Sequence, residues 1–154
     1  MPNYVRNILV FNETVNLSQF KSDENEFDFN NIIKTPDDIF QGEIGKEEEE
    51  LYGEKTWYRW NIDNWGTKWN SSNPIIYRNG VEFTTAWSYP LPILLELRKI
   101  TGKDFILISQ DEGCKEFEFI KFMENTCIDL DKKLSDIKRI LMEIKGGLKW
   151  KNLL

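Results

Sequence analysis

The 154-residue chain contains no histidine, only two cysteines and only five prolines. Each scarcity removes a class of chemistry. Without an imidazole there is no Ser-His-Asp or Cys-His nucleophile system, no HExxH zinc site and no histidine acid–base pair. Two cysteines cannot build a four-cysteine zinc site, and no histidine is present to complete one. Cys114 and Cys127 bracket the apolar run 117–123. A disulfide between them is open, but the Met1-Pro2-Asn3 start has neither a basic nor an apolar leader region, so two reduced thiols in a cytoplasmic protein are expected. The longest uncharged apolar run, Tyr89 to Leu95, is far too short to span a bilayer.

What is present is a soluble-domain composition rich in rings, with 40% apolar and 14% aromatic residues, enough for one buried core. Charge is unevenly placed. Residues 1–56 carry five basic and 13 acidic side chains, whereas residues 57–154 carry 15 basic and 13 acidic. A net charge of -6 argues against general nucleic-acid binding, which draws on counterion release from phosphates. The acidic first third suits a basic partner surface instead.

Periodicity predicts an α+β domain. Tyr4 to Phe11 is apolar on both alternating faces, the pattern of a central strand. Short helical turns are expected at Leu17–Phe20, after Asn16, and around Ile39–Phe40, after Thr35-Pro36-Asp37-Asp38. Gln41 to Gly53 reads as a loop entering a helix, with Glu47 to Glu50 in its first turn opposing the helix dipole. A helix from about Trp57 to Asn64 turns at Gly66. Strands at 74–77 and 81–87 flank Arg78-Asn79-Gly80, where Asn-Gly predicts a hairpin through positive φ. A helix over 91–100 ends at Thr101-Gly102, and strands follow at 105–109 and 114–123. Finally, Leu130, Leu134, Ile137, Leu141, Ile144 and Leu148 repeat at gaps of four and three, predicting an amphipathic helix over 128–154. Its seam is expected to pack on the same domain, with a weak dimer as the other outcome. Lys132, Lys133, Lys138 and Arg139 would be its wet face.

The run Trp57-Tyr58-Arg59-Trp60-Asn61-Ile62-Asp63-Asn64-Trp65-Gly66-Thr67-Lys68-Trp69-Asn70 and the run Phe83-Thr84-Thr85-Ala86-Trp87-Ser88-Tyr89-Pro90-Leu91-Pro92 form two long motifs. With Met1-Pro2-Asn3-Tyr4-Val5-Arg6-Asn7 and Phe27-Asp28-Phe29-Asn30, they resemble the YubB-type ferredoxin-like family of small phage and plasmid proteins over residues 1–123. Ser88-Tyr89-Pro90 departs from the Ser-Pro-Pro common in that family, and the basic C-terminal segment is not part of its core. The resemblance implies a ferredoxin-like antiparallel sheet over residues 1–127, helices mainly on one face and a mobile-element origin. It supplies no settled activity and no accepted set of catalytic residues, and no cofactor is expected.

Tryptophans are core-builders first, since each buries about 150–250 Å². The sharper expectation is an open slot formed by some of Trp57, Trp60, Trp65, Trp69 and Trp87, with Arg59, Lys68, Asn61 and Asn64 at its rim. Such a slot suits a nucleotide, through base stacking and a cation near phosphate, or a protein hot spot. The pairs Asp37-Asp38 and Asp111-Glu112 are the candidate carboxylates for a metal-dependent hydrolase, though turns and caps also use acids there. Glu47, Glu48, Glu49 and Glu50 are either a solvated helix start or a phosphate mimic for a nucleic-acid-binding partner. The leading expectation is a non-enzymatic phage protein that inhibits a host factor, such as a CRISPR-type effector, by stoichiometric contact. Sequestration of a nucleotide signal and carboxylate hydrolysis are the alternatives.

Overall fold

The computed structural model describes residues 3–113 and 117–130. It is an α+β fold on a six-stranded, wholly antiparallel sheet: β1 (Tyr4–Phe11), β2 (Ser72–Tyr77), β3 (Gly80–Ala86), β4 (Phe105–Asp111), β5 (Glu118–Met123) and β6 (Thr126–Asp129), ordered β2-β3-β1-β4-β5-β6. The helices are α1 (Lys46–Tyr52), α2 (Trp57–Trp65) and α3 (Leu91–Thr101). β1 and β2 run parallel with β3 between them, and β3 and β4 run parallel with β1 between them. The chain therefore makes two interlocked split crossovers, through α1 and α2 and then through α3.

The apolar alternation of β1 serves both sheet faces. Leu9 and Phe11 join Phe83, Phe105, Leu107 and Phe122 under Ile93, Leu94 and Leu97 of α3 and Trp65 of α2. Phe27 and Phe29 close this core, and Phe27 lies 5.1 Å from Phe83 centroid to centroid. Ile8 and Val10 face the other way, with Ile108 and Phe119, and Tyr77, Ile106, Phe117 and Leu130 pack around them. At the edge of this second face Arg6 pairs with Glu82, and Tyr77 Oη lies 3.3 Å from Glu82 Oε2. Burial, reinforced by the Glu82 carboxylate, pushes the Tyr77 hydroxyl up to about 12.

Several expectations are corrected. The 78–80 hairpin forms, but its two-residue loop is Arg78-Asn79, and neither Asn79 nor Gly80 has positive φ. Gly80 is instead required by proximity: a Cβ there would lie 1.9 Å from the Leu9 carbonyl oxygen across β1. Around Ile39–Phe40 there is a turn and not a helix, because Phe40 spends its backbone N–H on Lys55 O and its carbonyl on Trp57 N–H. The sheet also runs past the expected boundary at 127, since Ile128 and Asp129 belong to β6. The helical seam over Leu134 to Leu148, Lys132, Lys133, Lys138, Arg139 and Cys114 all lie outside the described residues.

Candidate functional site

The sequence motifs converge in space. Thr67 Oγ1 donates to Ala86 O and accepts the Ala86 N–H, and Ser88 Oγ donates to Gly66 O. These bonds fasten the loop after α2 to the end of β3. Asn70 fastens its other end: Oδ1 accepts the N–H groups of Phe29 and Ser71, and Nδ2 donates to Asp28 Oδ1 at 2.7 Å. Asp28 in turn caps the turn Phe29–Asn31 by accepting the Asn30 N–H. Trp87 N–H donates to Asn3 O, which brings the opening residues to the same place. Each such bond is worth about 1 kcal/mol net, but leaving its buried partner bare costs about 1–3 kcal/mol.

The five described tryptophans take three roles, with Trp65 sharing two. Trp65 is buried in the core, and Trp60 packs edge-on against it at 5.5 Å, so these two build structure. Trp57, Trp65 and Trp69 line a cleft of about 610 Å³ together with Asn61. Its opposite wall is the segment 30–41, including Asn30, Thr35, Asp37 and Gln41, none of which except Asp37 is a candidate site residue in the sequence. The third role belongs to Trp87, which is 44% exposed and sits outside the cleft. Its ring meets Tyr58 edge-on at 6.1 Å, and Tyr58 meets Trp57 at 6.0 Å. Lys68 Nζ lies 4.5 Å from the Trp69 ring centre, 5.3 Å from Trp87 and 5.9 Å from Tyr58. Cation–π attraction at such distances is worth about 0.5–1 kcal/mol per exposed contact. Trp87 also holds φ at +73°, a left-handed conformation that a bulky side chain rarely adopts.

The expected single slot is therefore two adjoining surfaces. Asn61 lines the cleft, whereas Asn64 donates to Trp60 O within its own helix. Arg59 faces a separate groove with Glu49, Glu54 and Asp63. The acidic run forms α1: Glu48 Oε2 accepts the Gly45 N–H as a cap, and Glu47, Glu49 and Glu50 are exposed. Of the carboxylate pairs, Asp38 turns to Lys55 at 2.9 Å, which holds its carboxyl below the usual range, while Asp37 faces the cleft. Asp111 Oδ1 accepts the Gly113 N–H and Glu112 Oε1 the Tyr4 N–H, so both shape a turn. No three acidic or thiol side chains gather as a metal site among the described residues. Tyr89, where the sequence departs from Ser-Pro-Pro, packs against the core, and burial raises its hydroxyl, with Glu118, Asp129 and Cys127 adding to the shift. Among the described residues no helix is long and apolar enough to cross a membrane. Comparison with protein-family models, curated proteins and solved structures gave no match.

Proposed function

We propose that this chain is a ferredoxin-like protein of the YubB type from a phage or other mobile element, and that it acts in the bacterial cytoplasm by stoichiometric contact with a host protein. The partner class we assign is a defence effector of the CRISPR type. Strand order supports the fold reading, because β2-β3-β1-β4 with two split crossovers is the ferredoxin-like arrangement, extended here by the β5-β6 hairpin. The four converging motifs support the family reading.

One observation carries the contact reading: Trp87 is held in solvent at a strained backbone, with Lys68, Tyr58 and Trp69 around it. An exposed, preorganised cluster of Trp, Tyr and cation has the composition of an interface hot spot. The ring's contacts with Tyr58 and Lys68 at most offset the strain, which supports a use for the exposed ring outside the fold. Glu47, Glu49 and Glu50 on α1 add a negative field that steers a basic partner surface.

The test is phage plating on bacteria whose CRISPR-type effector cuts the incoming phage. Wild-type protein restores plating, and the double variant Trp87→Gly with Lys68→Glu does not. Equal plating with both proteins would remove the Trp87 cluster from the mechanism. Absence of rescue by the wild type would remove defence inhibition itself.

A further inference from the structure

The cleft beside the contact surface has a chemistry of its own. Two of its indoles are held in place: Trp57 Nε1–H donates to Gly42 O at 3.0 Å, and the buried Trp65 donates Nε1–H to Ile33 O at 2.9 Å. Both bonds tie α2 to the segment 33–42 across the opening, so the cavity exists before any ligand arrives.

Its polar groups are only partly spent. Asn70 uses both ends of its carboxamide on Phe29, Ser71 and Asp28. Asn61 donates Nδ2–H to Lys68 O at 2.9 Å, which orients the amide and leaves Oδ1 as an acceptor with no partner among the described residues. Asn30 accepts the Thr35 N–H on Oδ1 at 3.1 Å, which leaves its Nδ2 as a donor. Asp37 has no ion pair or hydrogen bond among the described residues and adds a second acceptor, a charged one. No lysine or arginine lines the cavity. Thr35 and Gln41 also line the cavity, with groups that can both give and take a hydrogen bond and so do not discriminate. The interior thus offers indole walls, an oriented acceptor at Asn61, an oriented donor at Asn30, an acceptor-only carboxylate at Asp37 and no site for phosphate.

We infer that this cleft binds a guanine base, carried by a nucleoside or a mononucleotide. Trp57 and Trp69, the less buried of the three indoles, offer ring surface that can stack on a planar base. The hydrogen-bonding edge selects among bases: guanine presents two N–H donors and one carbonyl acceptor, the complement of Asp37, Asn61 Oδ1 and Asn30 Nδ2. Adenine and cytosine each present one amino donor beside ring acceptors, and so set an acceptor against Asp37 or Asn61. Lys68, 4.5 Å from the ring centre of the cleft-lining Trp69, is the cation we assign to a phosphate carried by the base.

The experiment is titration of the full chain with guanosine, guanosine monophosphate, adenosine and glucose, read by tryptophan fluorescence and calorimetry. Guanosine quenches saturably, adenosine binds at least about tenfold more weakly, and glucose does not quench. Asp37→Asn weakens guanosine by about tenfold or more with an unchanged melting temperature, as expected for loss of a charged acceptor. The monophosphate binds more tightly than guanosine, and Lys68→Gln removes only that difference, which locates the phosphate. Equal binding of guanosine and the monophosphate assigns the site to the base alone. Trp87→Gly leaves guanosine binding intact, so failure of the contact surface is separable from failure of the cleft. No saturable guanosine binding, no preference over adenosine, or full binding by Asp37→Asn would overturn the assignment.

Discussion

Thr67 and Ala86 exchange two hydrogen bonds through one hydroxyl: Thr67 Oγ1 gives its proton to Ala86 O at 2.7 Å and takes the Ala86 N–H at 3.2 Å. Both residues are buried, so water cannot replace either bond. Replacing the hydroxyl with a methyl in Thr67→Val keeps the volume and strands both backbone groups. We expect a loss of about 1–3 kcal/mol in urea unfolding, and most of it should return in Thr67→Ser. If Thr67→Val unfolds at the wild-type midpoint, the loop after α2 is not anchored here.

Two glycines separate two reasons for needing glycine. Gly102 has φ +65° and ψ 14°, with nothing within 4 Å of a built Cβ, so Gly102→Ala meets only the left-handed penalty, about 1–2 kcal/mol. Gly80 has no unusual φ, yet its Cβ would stand 1.9 Å from the backbone oxygen of Leu9. Gly80→Ala must push β3 off β1, and its cost should reach or exceed the roughly 3 kcal/mol typical of severe overpacking. Paired thermal melts decide the point. A Gly80 variant as stable as the Gly102 variant would contradict the close packing of these strands.

This pair also marks where the sequence can be read and where it cannot. Strand β1, helix α3 with its Gly102 stop, and α2 with its Gly66 stop follow from periodicity and from glycine after a helix, which are local signals. The hairpin was legible from Asn79-Gly80, but the role of Gly80 was not, because the atom it must avoid belongs to a strand 71 residues earlier. The cleft shows the same division. Trp57, Asn61, Trp65 and Trp69 announce themselves by type and spacing, whereas Asn30 and Thr35 read as motif and turn residues and Gln41 as loop, and the fold alone brings them to the cleft. Periodicity also could not part Trp65, facing the core, from Trp87, whose orientation is set by a single φ beyond a strand end.

Tyr77 gives the fold a dependence on alkaline pH. Its hydroxyl is pushed up to about 12, first by burial and then by Glu82. The folded state therefore holds this proton more tightly than the unfolded chain, in which tyrosine ionises near pH 10. The sign follows from linkage: stability is unaffected below about pH 10 and falls as pH rises from about 10 toward about 12. Tyrosinate absorbance should show late titration from Tyr77 and from Tyr89, whose hydroxyl is also raised by burial, and Tyr77→Phe should remove the Tyr77 part and make the fall in unfolding midpoints over that window shallower. An unchanged slope in Tyr77→Phe would assign the alkaline loss to another group.

Trp87 sets stability against use. A bulky residue at φ +73° carries a backbone penalty of about 1–2 kcal/mol that glycine does not. Against this stand the edge contact with Tyr58 and the approach of Lys68, both at an exposed ring and worth about 0.5–1.5 kcal/mol at most. Trp87→Gly also loosens the unfolded chain by about 1 kcal/mol, which opposes the relief of strain. The terms nearly cancel, so the variant should melt within about 1 kcal/mol of wild type while losing the phage-plating phenotype. Trp87→Asn, which tolerates left-handed φ without glycine's chain entropy, should be at least as stable as the glycine variant. A drop of more than about 3 kcal/mol in both would show that the ring holds the fold together, and its exposure would then say nothing about a partner.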